Sequence, residues 1–343
     1  MSTHALRVAR VIDETPDARS IALEVPPALA DRFRYRAGQF LTFRIPLAGG
    51  AVQRCYSLSS APGIDPQPQV TVKRVAGGKG SNWMNDSLRP GATVEVQTPA
   101  GRFVLEPGEA PLVFFAGGSG ITPILSLIKT ALTTGKRRVR LIYANRDARS
   151  VIFGRQLAEL ARRHADRFEL RQHQDDRDGL MRAETIASAA AGFEQALAYL
   201  CGPAPFMALV EKTLLGRGFP PARLRIERFV FSPESATAAA SAPAPKAASG
   251  AVPAAIVIHL EGKRHVVPYA AGQSILEAAR AAGLAPNSAC EEGYCGSCAA
   301  KKLKGEVHMA HNEAFSAEEV AKGWILTCQG RPTGRELEIA YEG

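Results

Sequence analysis

Between residues 5 and 108 the chain repeats short apolar runs, "LRVARVI", "SIALEV", "QFLTFRI", "QVTVKRV" and "ATVEVQT", broken by turns rich in glycine and proline. Such runs at short spacing predict strands joined by turns, in an antiparallel sheet or barrel. From Pro111 to Phe231 the pattern changes. Apolar-rich, strand-length stretches, "LVFFAG", "VRLIYA", "ALAYLCG" and "LRIERFVF", alternate with helix-length segments such as "PILSLIKTAL" and "GRQLAELARRH". That alternation predicts a parallel sheet covered by helices on both faces. A third change comes at "SPESATAAASAPAPKAASGAVP", where 22 residues include nine Ala and four Pro. It holds too little apolar surface to fold by itself and reads as a linker, with a typical span of roughly 25 Å as a flexible coil. The expected organisation is 1–109, an antiparallel β-barrel domain; 110–231, an α/β domain; 232–253, the linker; and 254–343, a small third domain.

Composition changes this picture little. Apolar residues make up 46% and charged residues 22%, ordinary values for a globular protein. The start, "MSTHALRVARVIDET", lacks the apolar core of a secretory signal, and the most apolar window, Leu112–Ile128, is broken by "GGSG" and a proline. The expectation is a cytoplasmic protein without membrane insertion, whose six cysteines stay reduced or bind metal. Charge is uneven: the net +9 divides into +11 over residues 1–231 and −2 over 254–343. The basic residues are scattered singly, which suits anionic cofactors or an acidic protein partner rather than nucleic acid.

Four of the cysteines lie in the last domain, at Cys290, Cys295, Cys298 and Cys328, giving C-x4-C-x2-C-x29-C. This is the plant-type [2Fe–2S] spacing. Zinc sites usually draw on two close pairs, and a redox dithiol would use only Cys295 and Cys298. Around them, "IVIHLEGKRHVV", "SILEAARAAG" and "ILTCQ" resemble a plant-type ferredoxin domain, which implies a β-grasp fold.

"RCYSLSS", Arg54–Ser60, matches the R-x-Y-S-x-x-S pattern of the ferredoxin–NADP reductase superfamily. A guanidinium can neutralise a pyrophosphate, an aromatic ring can lie on an isoalloxazine, and a serine hydroxyl can reach the flavin nitrogen that takes hydride. The resemblance implies FAD held by Arg54, Tyr56, Ser57, Lys73, Gly80, Ser81, Thr122 and Phe229, with Gly80 and Ser81 at a helix start that attracts phosphate. "FFAGGSGITPIL" follows an apolar strand and opens a helix, but Pro123 breaks the ordinary dinucleotide fingerprint. It resembles the superfamily's own glycine turn, and "CGP" at Cys201 resembles its second nucleotide loop. NAD(P) would then meet Gly117, Gly118, Gly120, Thr122, Asn145, Arg146, Cys201, Gly202 and Pro203. Glu227 and Phe229 in "RIERFVF" match a Glu-x-aromatic beside the flavin, although in plant-type reductases that aromatic ends the chain and here the chain continues. Ser57, Cys201 and Glu227 would form the catalytic surroundings of hydride transfer.

In this order the parts resemble the reductase components of bacterial multicomponent oxygenases. Stretches such as "YANRDARSVIFG" and "CGPAPFM" come nearest to reductases serving steroid hydroxylases, and next to those serving phenylacetyl-CoA epoxidases. That implies an NAD(P)H-dependent oxidoreductase that passes electrons through FAD and the [2Fe–2S] cluster to a terminal oxygenase. Two other classes remain open: a stand-alone reductase for a small acceptor, and a redox sensor. The nucleotide is read as NADH, because Asp175, Asp176 and Asp178 follow the strand "FELRQ" and would repel a 2′-phosphate. Arg146, Arg149 and Arg177 nearby keep NADPH as the alternative.

Overall fold

The computed structural model describes residues 3–48, 50–229, 252–288, 291, 293, 295–312, 314–315 and 317–341. The expected linker lies outside the described residues except for Val252 and Pro253, and so does Cys290. The chain divides into two compact units, one running from Thr3 to Phe229 and the other beginning at Val230.

The first unit holds two sheets. Strands β1 (His4–Thr15), β2 (Ala18–Glu24), β3 (Phe40–Ile45), β4 (Val52–Ser57), β5 (Gln69–Lys73) and β6 (Thr93–Val96) form an antiparallel sheet in the order β4-β3-β6-β1-β2-β5. A bridge between Leu58 and Val70 joins the exit of β4 to β5, so the two edge strands meet and the sheet closes as a barrel. Its interior takes every second residue of these strands, including Leu6, Val8, Ile21, Leu23 and Val70. Helix α1 (Lys79–Ser87) adds Met84 to that core.

The second sheet is parallel throughout, in the order β11-β10-β7-β8-β9, from β7 (Leu112–Gly117), β8 (Val139–Asn145), β9 (Phe168–Gln174), β10 (Leu197–Gly202) and β11 (Leu224–Arg228). All six residues of β7 are buried, as a central parallel strand covered on both faces requires. Helices α2 (Ile121–Thr134) and α3 (Gly154–Arg163) cover one face. The one-turn α4 (Asp175–Asp178) follows β9; α5 (Ala183–Ala190) and α6 (Ala204–Gly216) cover the other face. The α2 core also takes in Ala18, Ala37 and Phe103 from the barrel side, which welds the two sheets into one unit.

The second unit has a five-stranded mixed sheet, β13-β12-β16-β14-β15, built from β12 (Ala255–Leu260), β13 (Lys263–Pro268), β14 (Ala299–Met309), β15 (Trp324–Leu326) and β16 (Gly330–Ala340). Only β12 and β16 run parallel. Helix α7 (Ile275–Ala281) packs Ile275, Ala278 and Ala279 on the sheet, and α8 (Ala317–Ala321) is a short turn. Ser274 caps α7: its Oγ accepts from Glu277 N at 3.2 Å, while Glu277 accepts from Ser274 N at 2.7 Å. Barrel and parallel sheet are the folds that the hydrophobic pattern predicts, and the α+β domain is the one that the ferredoxin resemblance implies.

Candidate electron-transfer sites

The parallel sheet reverses its strand order between β7 and β10, and ligands of such sheets bind beyond the carboxyl ends of the strands at that point. Both glycine loops of the sequence are there. A Cβ on Gly120 would fall inside the Cys201 carbonyl and stand 2.7 Å from Gly202 N. One on Gly117 would lie 2.7 Å from Pro203 Cδ, and one on Gly202 2.9 Å from Gly117 N. The "GGSG" and "CGP" turns therefore press together backbone to backbone, leaving a surface of main chain for a nucleotide. Gly118 adopts φ +50°, and its carbonyl accepts a 3.0 Å hydrogen bond from the Tyr143 hydroxyl. Lys73 points at the same turn, with Nζ 3.9 Å from where a Gly118 Cβ would stand. Thr122 is buried and its hydroxyl donates to Ser119 O at 3.0 Å, pinning the start of α2.

On the barrel, Gly80 at the start of α1 packs onto the motif strand. A Cβ there would meet Arg54 Cγ at 3.0 Å, Ile45 Cδ1 at 3.2 Å and Tyr56 Oη at 3.6 Å. The Ser81 hydroxyl closes the same end, accepting from Val75 N at 3.1 Å and donating to Gly78 O at 3.3 Å. Tyr56 meets Phe43 edge to face at 5.8 Å, and burial drives its hydroxyl pKa upward, so it stays neutral. Arg54 is exposed and Ser57 is buried at the end of β4.

Two contacts bind α2 to the strand exit that carries the R-x-Y-S-x-x-S pattern. Ser126 Oγ donates to Ser60 O at 2.5 Å. Lys129 Nζ reaches both carboxylate oxygens of Asp65, at 2.7 and 2.5 Å, and Asp65 also accepts from Ala61 N at 2.6 Å. Hydride transfer needs reacting atoms about 3–3.5 Å apart and aligned, and these contacts hold the two loops to one frame.

Cys201 and Glu227 are direct partners across β10 and β11. The Cys201 thiol is fully buried; burial first, and the Glu227 carboxylate second, push its pKa well up, so it is a neutral thiol rather than a nucleophile. Phe229, just beyond β11, packs against the α2 core.

At the end of β8, Asn145 is 4% exposed and sits beside the Tyr143 hydroxyl, yet neither its amide oxygen nor its nitrogen has a well-directed hydrogen bond. A buried amide of this kind fits a site made for a ligand. Arg146 is exposed and paired with Asp147 at 2.9 Å; its carbonyl accepts from Asp176 N at 3.0 Å, which sets the acidic turn α4 beside it. The three acids differ. Asp178 accepts from Gln174 N and from Arg177, whose guanidinium holds its carboxyl well below the usual range. Asp175 lies 3.6 Å from His173 Nε2, and Asp176 is exposed.

In the second unit, Cys298 and Cys328 are buried, with their sulfurs 3.2 Å apart. Cys295 is half-buried and accepts from Ser297 N at 3.5 Å. Gly293 and Gly296 take φ +86° and +68°, which lets the loop turn its amides inward. Converging thiols with an amide aimed at sulfur fit an anionic iron–sulfur cluster. Sequence reasoning missed Tyr143 and the Lys129–Asp65 pair; each reads as an ordinary strand, helix or loop residue until the fold supplies its partner.

Comparison with known proteins finds family matches over three stretches of the chain. Residues 5–105 match an oxidoreductase FAD-binding domain, 114–212 an oxidoreductase NAD-binding domain, and 258–333 a 2Fe-2S iron-sulfur cluster binding domain. The ferredoxin reductase component of 3-ketosteroid-9-alpha-monooxygenase from Rhodococcus rhodochrous is 42% identical over 98% of this chain and 96% of its own. The chain belongs to this family of oxygenase reductase components. It is an oxidoreductase whose cofactors are FAD, NAD(P)H and a [2Fe–2S] cluster. A component of the 1,2-phenylacetyl-CoA epoxidase of Escherichia coli is 32% identical over 99% of this chain and 98% of its own length. Among solved structures, phthalate dioxygenase reductase superposes with a TM-score of 0.62 at 25% identity, covering 99% of this chain and 98% of that one. An intact type IV self-sufficient cytochrome P450 monooxygenase superposes with a TM-score of 0.71 at 26% identity; this chain covers 41% of it. Among the described residues no helix is long and apolar enough to cross a membrane.

Proposed function

We propose that this reductase takes electrons from NADH and delivers them singly to a separate terminal oxygenase, with a steroid hydroxylase as the first candidate, in the cytoplasm. FAD, when bound, accepts electrons as a hydride and releases them one at a time to the [2Fe–2S] cluster. The chain's own residues supply the rest. Arg54 with the amides of Gly80 and Ser81 neutralises the flavin pyrophosphate, Tyr56 supports the ring, and Ser57 stands at the hydride-accepting end. Lys73 and Thr122 flank the glycine turn. Gly117, Gly118, Gly120, Gly202 and Pro203 receive the nicotinamide half of the nucleotide, and Asn145 and Arg146 the ribose side. Cys201 and Glu227 close the hydride site with a neutral thiol and a carboxylate. Cys290, Cys295, Cys298 and Cys328 hold the cluster, and the domain limits are those of the sequence pattern, 1–109, 110–231 and 254–343.

The observation that carries this reading is the backbone contact of the "GGSG" and "CGP" turns, locked by Ser126 and Lys129 to the strand exit of the flavin motif. NADH is favoured because Asp176, exposed beside Arg146, is an acceptor for a free ribose hydroxyl and repels a 2′-phosphate. The steroid partner rests on the relative at 42% identity. Reconstitution with the purified terminal oxygenase tests the proposal: substrate hydroxylation that depends on both proteins supports it. Turnover of a small acceptor with no transfer to any oxygenase would leave a stand-alone reductase instead.

A further inference from the structure

Glu291 is the residue directly after Cys290, and it adopts φ +58°, a left-handed conformation that a side chain with a Cβ rarely takes. Such a residue persists only where its surroundings hold it. Here the holding groups are identifiable. Arg280, on α7, places Nη2 2.6 Å from Glu291 Oε1 and Nη1 3.1 Å from Oε2, a forked pair. The same Nη2 donates to Ser288 Oγ at 2.6 Å. Gln329, the neighbour of Cys328, donates from Nε2 to the Glu291 carbonyl at 2.8 Å. One guanidinium thus grips described residues on both sides of Cys290, and a second side chain ties Glu291 to the turn between β15 and β16 that bears Cys328. Arg280 is also within electrostatic reach of the Cys328 sulfur.

We infer that Arg280 is a positioning residue for the [2Fe–2S] cluster, clamping Ser288 and Glu291, which flank Cys290 in the chain, and balancing the Glu291 carboxylate. This rests on the reading that Cys290, Cys295, Cys298 and Cys328 are the ligands. Two effects follow, with different signatures. As a clamp, Arg280 keeps a ligand-bearing loop in place, and partners of this outer kind typically change metal retention by about 10- to 100-fold. As a charge, it offsets Glu291. Reduction adds a negative charge to the cluster, so an unbalanced carboxylate opposes it and an unbalanced guanidinium favours it. A purely mechanical brace has the first signature and lacks the second.

The experiment uses the full chain with Arg280→Gln, Arg280→Lys, Glu291→Gln and the double Arg280→Gln/Glu291→Gln. Iron and sulfide per chain are measured in the parent first, and a parent without a stoichiometric cluster refutes the ligand reading rather than the clamp. Cluster lifetime under chelator challenge, followed by visible absorbance, should fall about tenfold or more in Arg280→Gln. It should fall in Arg280→Lys as well, because a point charge cannot make the fork. Midpoint potentials from dye-mediated titration with EPR detection should move down in Arg280→Gln, up in Glu291→Gln, and return close to the parent in the double variant. If Arg280→Gln loses its cluster entirely, Arg280→Lys supplies the lifetime and Glu291→Gln the potential. A parent-like lifetime in both Arg280 variants, or potentials that shift in the same direction for Arg280→Gln and Glu291→Gln, would overturn the inference.

Discussion

Gly120→Ala is a clean perturbation of the proposed hydride site, because its conformation asks nothing of glycine. Gly120 precedes α2 with φ −61° and ψ −10°, values that alanine adopts freely. What forbids the methyl is space. It would stand 2.7 Å from Gly202 N and closer still to the Cys201 carbonyl, whereas ordinary contact begins at 3.4 Å. Both obstacles are main chain, so no side chain can swing aside. The "CGP" turn must retreat from the "GGSG" turn by more than 0.7 Å. Displacements of about 1 Å from productive geometry cost about 100-fold in rate, and overpacking of this kind costs about 1–3 kcal/mol in stability. Stopped-flow reduction of the flavin by NADH should therefore slow by about 100-fold in Gly120→Ala, with cofactor content close to the parent. Two controls separate crowding from backbone strain. Gly135→Ala, whose methyl meets nothing nearer than 3.7 Å, should leave the rate unchanged. Gly118→Ala has room but a φ of +50°, so it should cost stability by about 1–2 kcal/mol through strain. A Gly120→Ala enzyme that reduces flavin within twofold of the parent would refute the close apposition of the two turns.

Other outcomes follow from the same structure. Cys298→Ser should leave NADH-to-flavin transfer intact and abolish reduction of one-electron protein acceptors, read by stopped-flow and cytochrome c assays; normal supply of an oxygenase by a cluster-free variant would contradict it. Lys129→Met should destabilise the first unit by about 3 kcal/mol, toward the lower end for a broken buried pair because Asp65 is partly exposed, as read from chemical denaturation. Steady-state kinetics should give a higher specificity constant for NADH than for NADPH, and Asp176→Ser should narrow the gap. The Cys201 thiol, held protonated by burial, should resist iodoacetamide at pH 9 until the protein is unfolded, as checked by mapping the labelled peptide.

The sequence is most legible where chemistry demands short, local patterns. The glycine turns, the R-x-Y-S-x-x-S strand and the cysteine loop each announce themselves within a dozen residues, because backbone approach, pyrophosphate charge and iron ligation constrain neighbours in the chain. The barrel and the parallel sheet follow from strand and helix periodicity in the same way, whereas the third fold follows from the resemblance around the cysteines. What joins distant positions was not legible. Leu58–Val70, which closes the barrel, is an apolar pair like many others, and Lys129 reads as one polar residue on an apolar helix until Asp65 meets it 64 positions away. Tyr143 reads as a strand aromatic, although its hydroxyl fixes the Gly118 carbonyl. The acidic run gave three equal candidates, and only hydrogen bonding separates Asp178, engaged by Arg177 and Gln174, from exposed Asp176. Arg280 could not be singled out, since its value lies in reaching Ser288 and Glu291 at once.

Anaerobic rapid mixing of the purified full chain with NADH tests the central claim most directly, with flavin bleaching followed optically and the cluster by freeze-quench EPR. The account predicts that flavin absorbance falls first and that the reduced [2Fe–2S] signal rises afterwards, and that Cys298→Ser shows only the first phase. A cluster that is reduced before the flavin, or that stays oxidised while the flavin bleaches fully in the parent protein, would contradict it.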